Sequence, residues 1–286
     1  MQTVEVLSEP HLASVLVSAL ASTTKRPGVV KKLKAVTLVR PQVVLDGAHI
    51  ARYNAICGFK PEQGVPLIYP QMLTFPLVMS FMGSEACPWP ALGTVHLANR
   101  IEQKKSLRAG DTVRVEMQTG ELFAHEKGQG FNLDLRILRD DEVVWSATQS
   151  LLRVGVSQKS GKPYASAITD DAPLSRQADF NAASDLGRRY GAISGDRNPI
   201  HLTAMSAKMF GFRRAIAHGM WTKARALSSL LPAQQLEQAS VAVDFKTPLF
   251  LPSRASLWSA RKSDGALFEV RDAKGQRPHL RGQLQY

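Results

Sequence analysis

Tyr190-Gly191-Ala192-Ile193-Ser194-Gly195-Asp196-Arg197-Asn198-Pro199-Ile200-His201 brings a carboxylate, an amide and an imidazole close together along the chain. Gly195 permits a tight or left-handed turn ahead of Asp196. Pro199 suits the first turn of a helix, where its fixed φ is already helical and its missing N–H costs nothing. The reading is a loop carrying Asp196, then a helix from Pro199 through Leu202 to Met209 with His201 on its first turn. On one continuous helix, side chains five residues apart point about 140° away from each other. The break at the proline is what lets Asp196 and His201 converge. Asn198, between them, can donate from its amide to hold the Asp196 carboxylate or a water. An isolated Asp or His is usually a salt bridge, a cap or a core residue. This pair is set apart by its company, and His11, His49, His96, His125 and His279, which lack it, are assigned no role.

Working outward, Phe180 to Gly191 reads as a helix with Asp179 as its cap. Downstream, Ala215-Ile216-Ala217-His218-Gly219-Met220-Trp221 opens an apolar helix that ends near Leu231-Pro232. The segments Ala239 to Phe245, Ala255 to Ala260, Ala266 to Arg271 and Leu280 to Tyr286 follow as strands. The first half has the same order. Leu67-Ile68-Tyr69-Pro70-Gln71-Met72 opens a segment apolar round its whole circumference, the mark of a buried helix, with a kink or a start expected near Pro76. Strands follow over Gly93 to Ile101, Thr112 to Gly120, Phe131 to Leu138 and Val143 to Val154, with turn residues at 109–111, 127–130 and 139–141. Ser157 to Pro173, rich in Ser, Gly, Lys and Asp, reads as a linker. The chain is a divergent duplication of one α+β unit, a sheet around a central helix, and only the second copy carries the Asp–His segment.

The run from Tyr190 to His201, continuing to Ala207, resembles the hydratase signature of MaoC-like dehydratases and (R)-specific enoyl-CoA hydratases. That signature is an aromatic residue, then Ser-Gly-Asp-x-Asn-Pro-Ile/Leu-His. The double-length chain is similar to 3-hydroxyacyl-thioester dehydratases built from two fused hot-dog domains. The resemblance implies a double hot-dog α+β fold: a short helix or arm over residues 1–24, a hot-dog domain without the motif over 25–156, a linker over 157–173, and a catalytic hot-dog domain over 174–286. It implies reversible addition of water to a trans-2-enoyl thioester, with Asp196 and His201 as the catalytic pair and neither metal nor cofactor. Gly219, at the start of the second apolar helix, is the implied oxyanion donor and Asn198 an orienting residue. Ser194, Arg197, Arg213 and Arg214 are the candidate substrate contacts; the arginines lie beside the site segments, where they could meet carrier phosphates, with surface solvation the default reading of each. The carrier is coenzyme A or an acyl carrier protein. His218 is read as a helix-capping or packing residue.

Two departures from the family pattern stand out. A turn that is usually Pro-Gly followed by an acid appears after Phe245-Lys246-Thr247-Pro248 as Leu251-Pro252-Ser253, and Tyr69-Pro70 occupies the place of His218-Gly219. The second departure fits a first half that has lost catalysis and gained room for an acyl chain, beside Met72, Phe75, Met79, Phe81 and Met82. Those residues are by default core. Within the fold the rival reading is a thioesterase, which the intact segment from Gly195 to His201 opposes.

With 286 residues and 44% hydrophobic content, the chain has enough apolar material for a substantial core. Cys57 and Cys87 stand apart from any His or Cys at ligand spacing, which reads as free thiols in a reducing compartment. The net charge of +12 is spread over both halves, +5 over residues 1–165 and +7 over 166–286. It comes with no nucleic-acid-binding motif, so thioester carrier phosphates or an acidic carrier fit it better. The group Lys25, Arg26, Lys31, Lys32 and Lys34 reads as a solvated arm. The apolar run from Leu12 to Ala21 follows Glu5 and Glu9 rather than a basic segment, unlike a secretion signal. No stretch approaches the roughly 20 apolar residues of a membrane span, and a cytoplasmic protein is expected. A fused chain already supplies the pairing that single hot-dogs make between copies, so a monomer or a homodimer is expected.

Overall fold

The computed structural model describes residues 2–6, 28–91, 93–157 and 160–286, and they form two compact units. The helix expected within residues 1–24 lies outside the described residues, except that Gln2–Glu5 is a strand, β1, paired parallel to β2 (Val36–Val44). Lys25 and Arg26 also lie outside them, whereas Lys31, Lys32 and Lys34 are exposed.

In the first unit the strand order is β1-β2-β4-β5-β6-β3, with β3 at Thr94–Gln103, β4 at Thr112–His125, β5 at Gly128–Arg139 and β6 at Glu142–Val154. The expected alternation is present in β4, where Val113, Val115 and Met117 are buried while Thr112 and Arg114 are exposed. Helix α2 (Pro70–Gly83) lies against β2, β4 and β5. Thr74, Leu77, Val78, Phe81 and Met82 are among its buried residues; Met72, Phe75 and Met79 are half-buried. The helix runs through Pro76 instead of starting there, because Pro70 takes the first helical position, where no N–H is needed. Of the stretch read as a linker, Lys162–Pro163 forms a short strand, β7, on β4.

The second unit repeats this topology. Its order is β9-β12-β11-β10-β8, with β8 at Ser175–Ala182, β9 at Ala239–Phe245, β10 at Ser253–Lys262, β11 at Gly265–Asp272 and β12 at Pro278–Gln285. Helix α6 (Gly219–Leu230) packs on β11 and β12. Apart from β1 and β7, each unit reads in chain order first strand, helix, then four strands, with sheet order 1-3-4-5-2, as a duplication requires. Pro70 and Gly219 both start the central helix, so Tyr69 and His218 hold matching positions. The central helix of the second unit is less apolar than expected. Lys223 is fully buried in it, and loss of hydration holds its ammonium well below the usual lysine range.

The helix expected over Phe180 to Gly191 is corrected. Ser175–Ala182 is a strand, antiparallel to β10, in which Phe180 and Ala182 are buried and Asp179 and Asn181 exposed. This period of two wins because Phe180 docks edge-on against Trp221 at 5.8 Å. The helix, α3, is Leu186–Ser194 with Asp185 at its N-cap.

Residues 45–69 and 102–110 group with the second unit, although they precede the linker. Helix α1 (Gly47–Cys57) packs on α3 and α6, and the Trp221 indole N–H donates to the Ile56 carbonyl at 2.9 Å. Such a bond contributes about 1 kcal/mol net, and leaving the indole unpaired would cost more.

Candidate active site

Helix α3 ends on Gly195, whose φ of 78° is left-handed, and the chain turns back at once. The Asp196 N–H donates to Ser194 Oγ at 3.3 Å, and the Asn198 N–H donates to Asp196 Oδ1 at 3.1 Å. The Asn198 side-chain oxygen accepts from the Ile200 N–H at 3.3 Å, capping α4 (Pro199–Leu202) with Pro199 as its first residue. Asn198 therefore meets the carboxylate through its backbone, where amide donation was expected. Ser194 serves the same turn. The helix expected to reach Met209 stops at Leu202, where Thr203 is extended and its hydroxyl accepts from the Ser206 N–H at 3.0 Å to start α5 (Ala204–Lys208).

His201, on that single turn, is buried. Its Nδ1 lies 2.8 Å from the Ile216 carbonyl, and the Ile216 N–H donates to Ile200 O at 3.0 Å. A carbonyl can only accept, so Nδ1 carries the proton and Nε2 is left with its lone pair. That Nε2 is 4.0 Å from Asp196 Oδ2. The sequence pair therefore converges, with the proline break between its members. Burial holds the His201 pKa below the ordinary histidine value, and the Asp196 charge only partly offsets this. The imidazole is kept as a neutral base.

His218 joins the pair. It holds the N-cap position of α6, but its side chain does not cap the helix; instead its Nε2 donates to the Asp196 carbonyl at 2.9 Å, and lies 3.8 Å from Oδ2. Its ring stacks on His201 at 3.7 Å, and Tyr190 is tilted against it at 4.9 Å. Burial first, then the neighbouring His201, pushes its pKa down to about 3. It is a neutral donor that fixes the backbone of Asp196. Of the two readings for His218, capping fails and packing holds, with the packed ring set beside Asp196 and His201.

Two glycines that the motif leaves in the background set this geometry. A Cβ at Gly187 would come 1.8 Å from the His201 carbonyl oxygen, and one at Gly191 would come 2.8 Å from that of Asp196. They lie one helical turn apart, so α3 presents a groove in which the backbone of both candidate catalytic residues sits. Their spacing of four was visible in the sequence.

Gly219 is the first residue of α6, so its N–H has no acceptor within the helix and stands at the positive end of the helix dipole. A Cβ there would meet the Phe245 ring at 2.8 Å. Among the arginines, Arg197 is exposed. Arg213 and Arg214 lie over the Phe250 ring at 4.5 and 5.7 Å, and Arg214 also donates to the Pro252 carbonyl. Asp196, His201 and His218 offer donor atoms within 4.8 Å of one another, a set that could hold a metal ion. However, the bond to the Asp196 carbonyl occupies the His218 nitrogen that faces the group.

A carboxylate, a neutral imidazole base and a helix N-terminus are the parts needed to move a proton next to a carbonyl and hold the charge that develops. Comparison with known proteins points the same way. A family model described as a MaoC like domain matches residues 166–276. The chain is 32% identical over 244 residues to 3-hydroxyacyl-thioester dehydratase X of Mycobacterium tuberculosis, covering 85% of this chain and 87% of the relative. A crystal structure of that mycobacterial protein superposes with a TM-score of 0.74 at 30% identity, over 87% of this chain and 98% of the other. A MaoC-like dehydratase from Phytophthora capsici matches in fold, with a TM-score of 0.70 at 16% identity over 89% and 95%.

Proposed function

The chain belongs to the MaoC-like dehydratase family and is a hydro-lyase of 3-hydroxyacyl thioesters, and we propose that Asp196 and His201 perform its chemistry. The reaction is the reversible loss of water from an (R)-3-hydroxyacyl thioester to give the trans-2-enoyl thioester. The observation that carries the reading is the lone pair of His201 Nε2 facing Asp196 Oδ2 at 4.0 Å, on a segment where Asp196 keeps about a third of its side chain exposed.

Dehydration requires the form of the pair in which the one proton is on Asp196 and His201 is neutral. His201 Nε2 takes the C2 proton, and the C–H electrons pass into the enolate. Its oxygen faces the Gly219 N–H, whose position suits an oxyanion donor. As the C2–C3 double bond forms, the C3–O bond breaks and Asp196 protonates the departing oxygen, which leaves as water. The proton taken from C2 now rests on His201, and its passage to the Asp196 carboxylate restores the starting state of the pair. Hydration is the reverse. His218 keeps the Asp196 backbone in place, and Asn198 fixes the carboxylate through its N–H.

For the carrier, Arg197, Arg213 and Arg214 suit phosphate, which coenzyme A carries on its nucleotide and an acyl carrier protein carries on its prosthetic arm. The test follows the ultraviolet absorbance of a trans-2-enoyl thioester together with a thiol reagent. Loss of the conjugated chromophore, an (R)-3-hydroxy product and no released thiol are expected. Thiol release without hydration would make the site a thioesterase. Running coenzyme A and carrier-protein forms of the same acyl group in parallel assigns the carrier from the ratio of their kcat/KM values.

A further inference from the structure

Helix α1 is assigned no role by the motif, yet it packs against the helix from which Asp196 is launched. From its first turn, His49 makes two hydrogen bonds: Nε2 lies 2.9 Å from the Ile193 carbonyl and Nδ1 lies 2.9 Å from the Tyr69 hydroxyl. The carbonyl can only accept, so Nε2 carries the proton; in the neutral ring Nδ1 then accepts and Tyr69 donates. Burial pushes the Tyr69 pKa up to about 12, so the phenol keeps its proton throughout the working range. Ile193 stands in the last turn of α3, where carbonyls lack intrahelical partners, three residues before Asp196.

A second line of contact leaves the same helix. Tyr53, one turn after His49, lies 5.4 Å from the Tyr69 ring and 6.3 Å from Tyr190. Tyr190 in turn backs His218, and His218 backs His201. The turn that carries the carboxylate therefore rests on His49, the ring stack behind the base rests on Tyr53, and Tyr69 touches both.

We propose that His49, with its tautomer set by Tyr69, is a positioning residue for the dehydratase reaction: it holds the Ile193 carbonyl and so fixes the turn that sets Asp196 opposite His201. The inference rests on the assignment of Asp196 and His201. A histidine that merely glued two helices would affect stability. One that fixes the turn affects kcat, because misplacing a reacting group by about 1 Å costs on the order of 100-fold in rate.

The test compares His49→Phe, His49→Gln, Tyr69→Phe and Asp196→Asn in kcat, KM and thermal midpoint with an enoyl thioester. His49→Phe should lose about 10- to 100-fold in kcat, up to the loss expected when a reacting group is misplaced by about 1 Å, with KM within about threefold. His49→Gln, whose amide can donate to Ile193 and accept from Tyr69, should recover most of that loss. Tyr69→Phe should fall between wild type and His49→Phe at an unchanged midpoint. A kcat within twofold of wild type in His49→Phe overturns the proposal, as does a glutamine variant no better than phenylalanine. Should His49→Phe fail to fold, a wild-type kcat in Tyr69→Phe overturns it. Full activity in Asp196→Asn would instead sink the site assignment itself, so the two failures are distinguishable.

Discussion

Gly187→Ala is the sharpest perturbation of the groove on α3. The added Cβ would stand 1.8 Å from the His201 carbonyl oxygen, and contacts below 3.0 Å are essentially never seen. Helix α3 and the turn bearing His201 must therefore part by at least about 1.2 Å, taking this difference as the minimum relaxation. Neither side yields cheaply. His201 is clamped by its own ring bond to the Ile216 carbonyl and by the bond from the Ile216 N–H to the Ile200 carbonyl, and α3 is clamped by the packing of Tyr190 on His218. Overpacking of this kind costs about 1–3 kcal/mol of stability. A shift of this size between a base and its substrate costs about 100-fold or more in kcat. The assay is steady-state hydration of an enoyl thioester on the purified variant, paired with urea unfolding, so that the folded fraction is known at the assay temperature. A kcat within threefold of wild type in a variant as stable as wild type would refute the claim that this glycine sets the position of His201.

Acid should weaken the fold through His218. Its folded pKa of about 3 lies below the ordinary value near 6.5, so between those pH values the unfolded chain binds a proton that the folded chain refuses. Stability is full above pH 6.5 and falls by about 1.4 kcal/mol per unit below it, roughly 2 kcal/mol by pH 5. His201, lowered by burial, acts in the same direction. Urea unfolding of His218→Asn should show a loss between pH 7 and pH 5 smaller by about that amount, and an equal loss would contradict the assignment. Asn198→Ala removes the α4 cap and should cost about 1 kcal/mol in urea unfolding, with the bond from its N–H to Asp196 retained. Gly219→Ala presses a methyl group against the Phe245 ring and disturbs the N–H proposed to meet the thioester oxygen. Its expected signature is about a 100-fold loss in kcat with KM little changed.

Much of this arrangement was legible because local chemistry and tertiary need agree. The glycine-aspartate turn, the helix started by proline, the two central helices and the four strands after each of them follow from turn residues and periodicity alone, whereas β1, β2, β7 and β8 do not. Failures occurred where a distant partner decides the outcome. Phe180 and Ala182 sit in a stretch that reads as helix but pair with β10, because their alternate burial is satisfied only by the sheet. His49 carried no local signal. Its partners, Tyr69 and Ile193, are 20 and 144 residues away, and only the folded second unit brings the three together. The sequence reading has the Asn198 amide holding the Asp196 carboxylate or a water. A side chain placed directly before proline instead caps the helix it precedes, leaving the backbone to serve Asp196.

The central claim, that Asp196 and His201 share the proton work, is tested most directly by single-turnover hydration of an enoyl thioester on Asp196→Asn and His201→Gln at saturating substrate. The account predicts that each variant folds and binds the thioester but loses about 100- to 10,000-fold in rate, the range for removal of a general acid or base. The double variant should be scarcely slower than either single one, since the two act as a unit. Wild-type turnover by either single variant, or losses that multiply in the double variant, would contradict it.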